Sequence, residues 1–295
     1  MKPAPFTYYR PTSLEDAAQR LRDGADDGAL ILAGGQSLVP MMALRVAYAT
    51  ELIDLNALDG LDRPRVEGDS LVIPTLTRHA TFHDARAAPA PLGDLLACVA
   101  AHIAHYPIRQ RGTFGGSLSH ADPSSEWCLV TATLDGTVCL LSADGPREVA
   151  ARDWSDGPMS TTRDPDEILT EVRLPLPEAS ASWGFYEFNR RAGDFALGMA
   201  LCVIDLQDDR ITAARIGIGG IEDHPRRLPE AEAALIGRAF DAAAMAAAAE
   251  AAMRAVDPME DATTSAEYRR DLTGTVITRA LEAARLRTLA LADPA

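Results

Sequence analysis

Cysteine is scarce in this chain of 295 residues, and the four present, Cys98, Cys128, Cys139 and Cys202, are widely spaced. No C-x-x-C pair occurs, so neither a zinc site nor a cysteine-ligated iron–sulfur cluster is encoded locally, and the thiols read as small core residues. His120 has no second His or Cys at ligand spacing, so no metal is expected there either. Basic residues are also short, 28 against 43 acidic for a formal charge of −15, which argues against nucleic acid or an anionic membrane as the main partner. Long apolar runs are missing: none approaches the ~20 residues needed to span a bilayer. With no basic segment leading into an apolar run at the start, a reducing cytoplasm is the expected compartment. No repeat period is evident.

What is present is ample apolar content, 47%, for two or three compact units. Two glycine segments stand out, Ala33-Gly34-Gly35-Gln36-Ser37-Leu38 and Thr113-Phe114-Gly115-Gly116-Ser117, about eighty residues apart. Glycine has no Cβ to shield its amide and tolerates φ > 0, so each segment reads as backbone opened to phosphate oxygens. Ser37, Thr113 and Ser117 add hydroxyl donors, and Arg109 and Arg111 offer local positive charge to an otherwise anionic chain. Either pair alone reads first as a tight turn. Together they suit a cofactor with a central diphosphate, held from both sides. The G-x-G-x-x-G spacing of a dinucleotide Rossmann turn is absent, and no lysine follows the glycines as a P-loop requires.

Periodicity organises the rest. Thr12 and Glu15 form a capping-box pattern ahead of a helix with Leu14, Ala17, Ala18 and Leu21 on one face, ended by Gly24 and Gly28. Strands are expected at 29–33, 51–55 and 70–73. A helix over 92–105 is stopped by Pro107, and the apolar pieces 128–134 and 137–141 are joined by a hairpin-type turn at Asp135-Gly136. Pro175-Leu176-Pro177 reads as a boundary. Beyond it, 182–188, 195–206 and 211–218 have strand composition, the last two joined as a hairpin through Gln207-Asp208-Asp209-Arg210. Helices follow at 229–237, 241–255 and 265–291. The alanine-rich 242–255 run keeps a stripe of Met245, Ala249, Ala252, Met253 and Val256, which makes it a packed surface helix rather than an interaction tail. The predicted units are 1–55, 56–176 and 177–295.

The ordered series of motifs resembles the FAD-binding medium subunit of molybdenum hydroxylases, the carbon monoxide dehydrogenase and xanthine dehydrogenase flavoprotein family. It runs from Pro5-Phe6-Thr7-Tyr8 through the first glycine segment, Ile53-Asp54-Leu55-Asn56, Thr75-Leu76-Thr77-Arg78-His79 and Ile108 to Glu126. It continues in Arg190-Arg191-Ala192-Gly193-Asp194-Phe195-Ala196 and ends in Ala266-Glu267-Tyr268-Arg269-Arg270. The resemblance implies an α+β architecture: the two-subdomain FAD-binding fold of the vanillyl-alcohol oxidase (PCMH) type plus a C-terminal α+β domain. It implies FAD contacts at Leu32, Ala33, Gly34, Gly35, Gln36, Ser37, Leu38, Thr77, His79, Thr113, Gly115, Gly116, Ser117, Asp122, Ser125, Glu126 and Asp194.

Within that set Glu126 is expected near the ribose, with an exposed acid at a helix N-terminus as the other reading. Asp194 is expected to hold the C-terminal domain against the flavin region, with a plain turn aspartate as its alternative. Two positions depart from the family pattern: Glu187 stands where a lysine is frequent and Pro74 where a glycine is common. Gln36 occupies the place of the histidine that links flavin covalently in some proteins of the wider fold, so the FAD is expected to be non-covalent. By the same resemblance no organic substrate is bound here. The implied partners are a [2Fe–2S] ferredoxin-like small subunit and a molybdopterin large subunit, in a dimer of heterotrimers, with a small-molecule electron acceptor. A stand-alone flavin oxidase of the vanillyl-alcohol type and a non-catalytic flavin-binding protein remain as alternatives.

Overall fold

The computed structural model describes residues 2–292 and contains three principal sheets. The first unit comprises β1 (Thr7–Tyr9), α1 (Leu14–Gly24), β2 (Ala29–Leu32), α2 (Leu38–Leu44) and β3 (Glu51–Asp54), with parallel strands in the order β1-β3-β2. Helix α1 lays Ala17, Ala18 and Leu21 against Ile53 and Leu55. Its cap lies one residue beyond the predicted one. Ser13 Oγ accepts from the Asp16 amide at 3.1 Å, while Asp16 reaches back to accept from the Thr12 amide at 2.7 Å. Aspartate, with its shorter side chain, thus replaces the expected Glu15 as the reciprocal partner.

The second unit runs through β4 (Arg65–Glu67), β5 (Ser70–Pro74), α3 (Leu92–His102), α4 (Tyr106–Arg109), α5 (Phe114–His120), α6 (Glu126–Thr133), β6 (Thr137–Ser142), β7 (Gly145–Ala150), the small ribbon β8 (Ser155–Gly157) and β9 (Ser160–Thr161), and β10 (Ile168–Pro175). Its five-stranded antiparallel sheet has the order β4-β5-β10-β6-β7. Two expectations fail here. Helix α3 ends at His102, before Pro107, because the chain reverses through Ala104 at φ 42°, and Pro107 instead sits in the first turn of α4.

The apolar piece 128–134 is helical rather than one arm of a hairpin. Ser125 caps α6 at the Cys128 amide, and the hydroxyls of Thr131 and Thr133 donate to the carbonyls of Trp127 and Leu129, each at 2.7 Å. The helix is apolar nearly all round because it is enclosed: the third sheet lies against it on one side and α3 and α5 pack on it from the second unit.

The third unit is an antiparallel sheet, β11 (Ser182–Phe188), β12 (Gly198–Gln207), β13 (Arg210–Gly219) and β14 (Arg226–Arg227), backed by α7 (Pro229–Ala233), α8 (Ala242–Ala255) and α9 (Ala266–Ala292). Asp208 and Asp209 both take positive φ, 49° and 58°, in the two-residue turn between β12 and β13. Strand β12 starts at Gly198, later than 195, and α7 stops at Ala233, short of 237. Along α8 the buried stripe is Ala244, Met245, Ala248, Ala249 and Ala252, packed with Val276 and Ile277 of α9. One apolar core joins the second and third units through Phe114, Trp127, Phe185 and Leu201. Among the described residues no helix is long and apolar enough to cross a membrane.

Candidate cofactor site

The two glycine segments meet. A Cβ on Gly34 would fall 2.3 Å from the Arg111 carbonyl oxygen and 2.8 Å from Gly112 Cα, so only glycine lets these backbones touch. Beside the contact opens a cavity of about 580 Å³, walled by both segments, by the ends of α5 and α6 and by Asp194 and Phe195 of the third unit. That size is within the range of small-molecule sites.

The first segment leaves β2 and enters α2. Gly35 has φ 72°, the left-handed turn by which the chain leaves β2 and enters α2. Among the described residues the amides of Gly34, Gly35, Gln36 and Ser37 meet no acceptor, and the Ser37 side chain makes no cap. Four free N–H groups in one turn form an anion cradle. The segment is braced from behind: Asn56 Nδ2 donates to the Ala33 carbonyl at 2.8 Å, and Arg78 donates to Asn56 Oδ1 at 2.6 Å and to the Arg111 carbonyl.

The second segment works differently from the sequence expectation. Thr113 caps α5, and the following amides are spent internally: Phe114 on the Thr77 carbonyl at 2.8 Å, Gly115 on Thr75 at 3.0 Å, Gly116 on Thr113 Oγ1 at 3.0 Å and Ser117 on the Thr113 carbonyl at 3.0 Å. Its backbone is therefore not open to phosphate. A Cβ on Gly115 would lie 2.1 Å from Thr75 Oγ1, so that glycine serves close packing of α5 on the chain after β5. What the segment offers the cavity is hydroxyls, Thr113 and Ser117, the latter paired with Ser125 Oγ at 2.9 Å.

Of the predicted contacts, Leu32 through Leu38, His79, Thr113, Gly116, Ser117, Asp122, Ser125, Glu126 and Asp194 all line the cavity, whereas Thr77 and Gly115 stand behind its wall. Arg109 donates to the carbonyls of Ile103 and Ala104 and stays out of it, and Arg111 borders a separate pocket on the outer side of the first segment. The cation that does line the cavity is Arg163, which sequence reasoning missed. Its Nη1 donates to the Glu167 carbonyl at 2.7 Å, its buried Nε has no partner, and burial holds it below the usual arginine range. Its only sequence signal was a position in the Thr162-Arg163-Asp164-Pro165 stretch leading into β10.

His79 is neutral. Trp127 Nε1 can only donate, so the 2.9 Å bond to His79 Nδ1 places the imidazole proton on Nε2. Burial, followed by the charges of Arg78 and Arg109, lowers its pKa to about 4. Glu126 is raised to about 8, chiefly by burial and then by the charge of Glu187, so it carries a proton at neutral pH. A protonated carboxyl can both donate to and accept from sugar hydroxyls. Glu187 is also raised, to about 7, by burial. Its Oε1 accepts from Asn189 at 2.9 Å and its Oε2 is buried without a partner, 3.9 Å from His102 Nδ1. Asp122 Oδ1 accepts from the Ser124 amide at 2.8 Å and shapes the approach to α6.

The fold and cradle define a two-part flavin-binding protein with an added C-terminal domain, and the comparisons agree. The profile of the FAD binding domain in molybdopterin dehydrogenase matches residues 4–177, and that of the CO dehydrogenase flavoprotein C-terminal domain matches residues 183–284. The chain is 38% identical to the nicotine 6-hydroxylase medium subunit of Paenarthrobacter nicotinovorans over 288 residues, 98% of this chain and all of that one. It is 34% identical to the carbon monoxide dehydrogenase medium chain of Afipia carboxidovorans, covering 97% and 99%. The crystal structure of quinoline 2-oxidoreductase from Pseudomonas putida 86 superposes with a TM-score of 0.89 at 35% identity, covering 98% of this chain and all of the matched one. The chain belongs to the family of FAD-binding medium subunits of molybdenum hydroxylases, a family of oxidoreductase flavoproteins.

Proposed function

We propose that this chain is the electron-transfer subunit of a three-component cytoplasmic molybdenum hydroxylase, receiving electrons from the [2Fe–2S] clusters of a ferredoxin-like small subunit and delivering them to a small-molecule acceptor. A molybdopterin large subunit binds the organic substrate, and the complex is a dimer of heterotrimers. The observation that carries the reading is the set of four unpartnered amides, Gly34 to Ser37, at the wall of a cavity sized for a cofactor. Bound FAD supplies a ring that accepts and passes on electrons.

The chain's part is binding and orientation. Amides 34–37 and the Ser37 hydroxyl take the diphosphate, Thr113 and Ser117 add hydroxyls from the other segment, and Arg163 supplies positive charge at the cavity wall of a chain whose net charge is −15. Glu126, protonated, meets ribose hydroxyls. Gln36 has no nucleophilic atom, which supports dissociable FAD. Relatives named for nicotine, caffeine and carbon monoxide align over nearly the whole chain, which supports placing substrate choice in another subunit.

Coexpression with the adjoining genes tests the assignment. A purified complex containing molybdenum, iron and FAD is the expected result. Turnover of an organic substrate by the isolated, FAD-loaded chain would sink the three-component reading and favour a self-sufficient oxidase.

A further inference from the structure

The Ala266-Glu267-Tyr268-Arg269-Arg270 motif opens α9, away from the cavity wall, yet Arg269 is the one buried arginine among the described residues, at 3% exposure. A charge in the interior costs several kcal/mol unless its donors are met. Nη1 donates to the Leu197 carbonyl at 2.9 Å and to that of Gly220, and Nη2 donates to Asp261 Oδ2 at 2.5 Å, while the buried Nε has no partner. Leu197 and Gly220 lie just past Met199↔Gly219, the last rung of the β12–β13 ladder. The guanidinium therefore bridges two carbonyls at the point where the strands part.

Leu197 ends the segment 189–197 that joins β11 to β12, and its amide closes that loop on the Phe188 carbonyl at 2.8 Å. The tip of the loop brings Asp194 and Phe195 to the cavity, where Phe195 is 75% exposed. The same loop rests on the second unit. Ser124 Oγ donates to the Ala196 carbonyl at 2.8 Å, and Gly193 lies over the His105 ring, where a Cβ would fall 2.2 Å from Cε1. Gly220 donates to the Pro123 carbonyl at 2.8 Å, and Arg190 donates to the Thr263 carbonyl at 3.1 Å, beside the Asp261 that receives Arg269. All of these tethers converge on one loop and on the entry to α6.

We propose that Arg269 is a positioning residue for the cofactor cavity: it fixes segment 189–197, and with it Asp194 and Phe195, against the FAD site without touching the cofactor. The inference rests on the site reading above. Arg269→Met removes the shared donor of both carbonyls and of Asp261 Oδ2, and Arg269→Lys restores the charge without the planar fork that spans these acceptors.

The test uses the full chain reconstituted with FAD, measuring the FAD dissociation rate, the visible circular dichroism of the flavin and the far-ultraviolet spectrum. Arg269→Met should release FAD about tenfold faster, equivalent to about 1.4 kcal/mol, with altered visible dichroism and a retained far-ultraviolet signal, and Arg269→Lys should recover part of the loss. A lower melting temperature with unchanged dissociation and dichroism would make Arg269 a fold staple only and overturn the proposal. If Arg269→Met does not fold, Asp261→Ala removes the third acceptor at an exposed position and should still speed release severalfold, and an unchanged rate there overturns the proposal as well. Gly35→Val separates the two readings. Wild-type FAD affinity in that variant would overturn the site reading, whereas loss of FAD there beside wild-type behaviour of the Arg269 variants would overturn this inference alone.

Discussion

Gly34 and Arg111 touch backbone to backbone, and this contact brings the first glycine segment and the second together as one wall. Gly34→Ala puts a methyl 2.3 Å from a carbonyl oxygen that cannot rotate away, so the two segments must separate by about an ångström. At roughly 1–3 kcal/mol of overpacking strain, FAD affinity should fall tenfold to a hundredfold. Titration of the apoprotein with FAD measures it, and an affinity within twofold of wild type would show that the contact does not shape the site.

Arg78→Met should act on the same wall from behind. The side chain links Asn56, which holds the Ala33 carbonyl, to the Arg111 carbonyl. Its bonds are charge-assisted, each worth about 1.5–3 kcal/mol, and their loss should lower both melting temperature and FAD affinity. Asn56→Ala should lower the affinity by a similar factor, and the double variant should cost little more than either single one, because the two residues act in series. Additive losses in that cycle would contradict the brace.

Much of this was legible in the sequence, and the exceptions have physical causes. Segment 34–38 has its character written locally: two glycines between a strand and a helix free the amides wherever the rest of the chain lies. The second segment looked equivalent, but the Phe114 and Gly115 amides are consumed by Thr77 and Thr75, some forty residues away, which no local pattern reveals, and those of Gly116 and Ser117 turn back on Thr113. Residues 128–133 form a helix enclosed by the third sheet and by α3 and α5, and a short run that is apolar on nearly every side has no period to separate helix from strand. Arg163 was hidden for the opposite reason, since an arginine in a polar stretch looks solvated until β10 is paired and the stretch folds over the cavity.

Gln36 bears on how FAD is attached. Its side chain is exposed and donates to the Gly34 carbonyl at 3.2 Å, and an amide nitrogen is not a nucleophile. Heat or acid should therefore release intact FAD and leave a polypeptide with the mass of the sequence. Flavin that stays with the denatured chain would contradict the assignment.

The stability of the apoprotein should depend on pH through Glu126 and His79 in opposite senses. Glu126 is raised from 4.5 to about 8, so the folded state keeps a proton that the unfolded state has lost. Its contribution is fully present below the unfolded value and disappears as pH rises through about 8. His79 is lowered from 6.5 to about 4. Its contribution is present above the unfolded value and is lost as pH falls through about 4. Between roughly pH 4.5 and 6.5 the two slopes oppose each other. From about 6.5 to 8 His79 is neutral in both states, and Glu126, joined by Glu187 raised to about 7, lowers stability as pH rises. The melting temperature of the apoprotein should therefore fall across that upper window, and Glu126→Gln, which keeps the shape and removes the titration, should flatten most of the fall and melt higher than wild type at pH 8. Equal slopes for variant and wild type between pH 6.5 and 8 would mean that Glu126 is ionised in the folded chain.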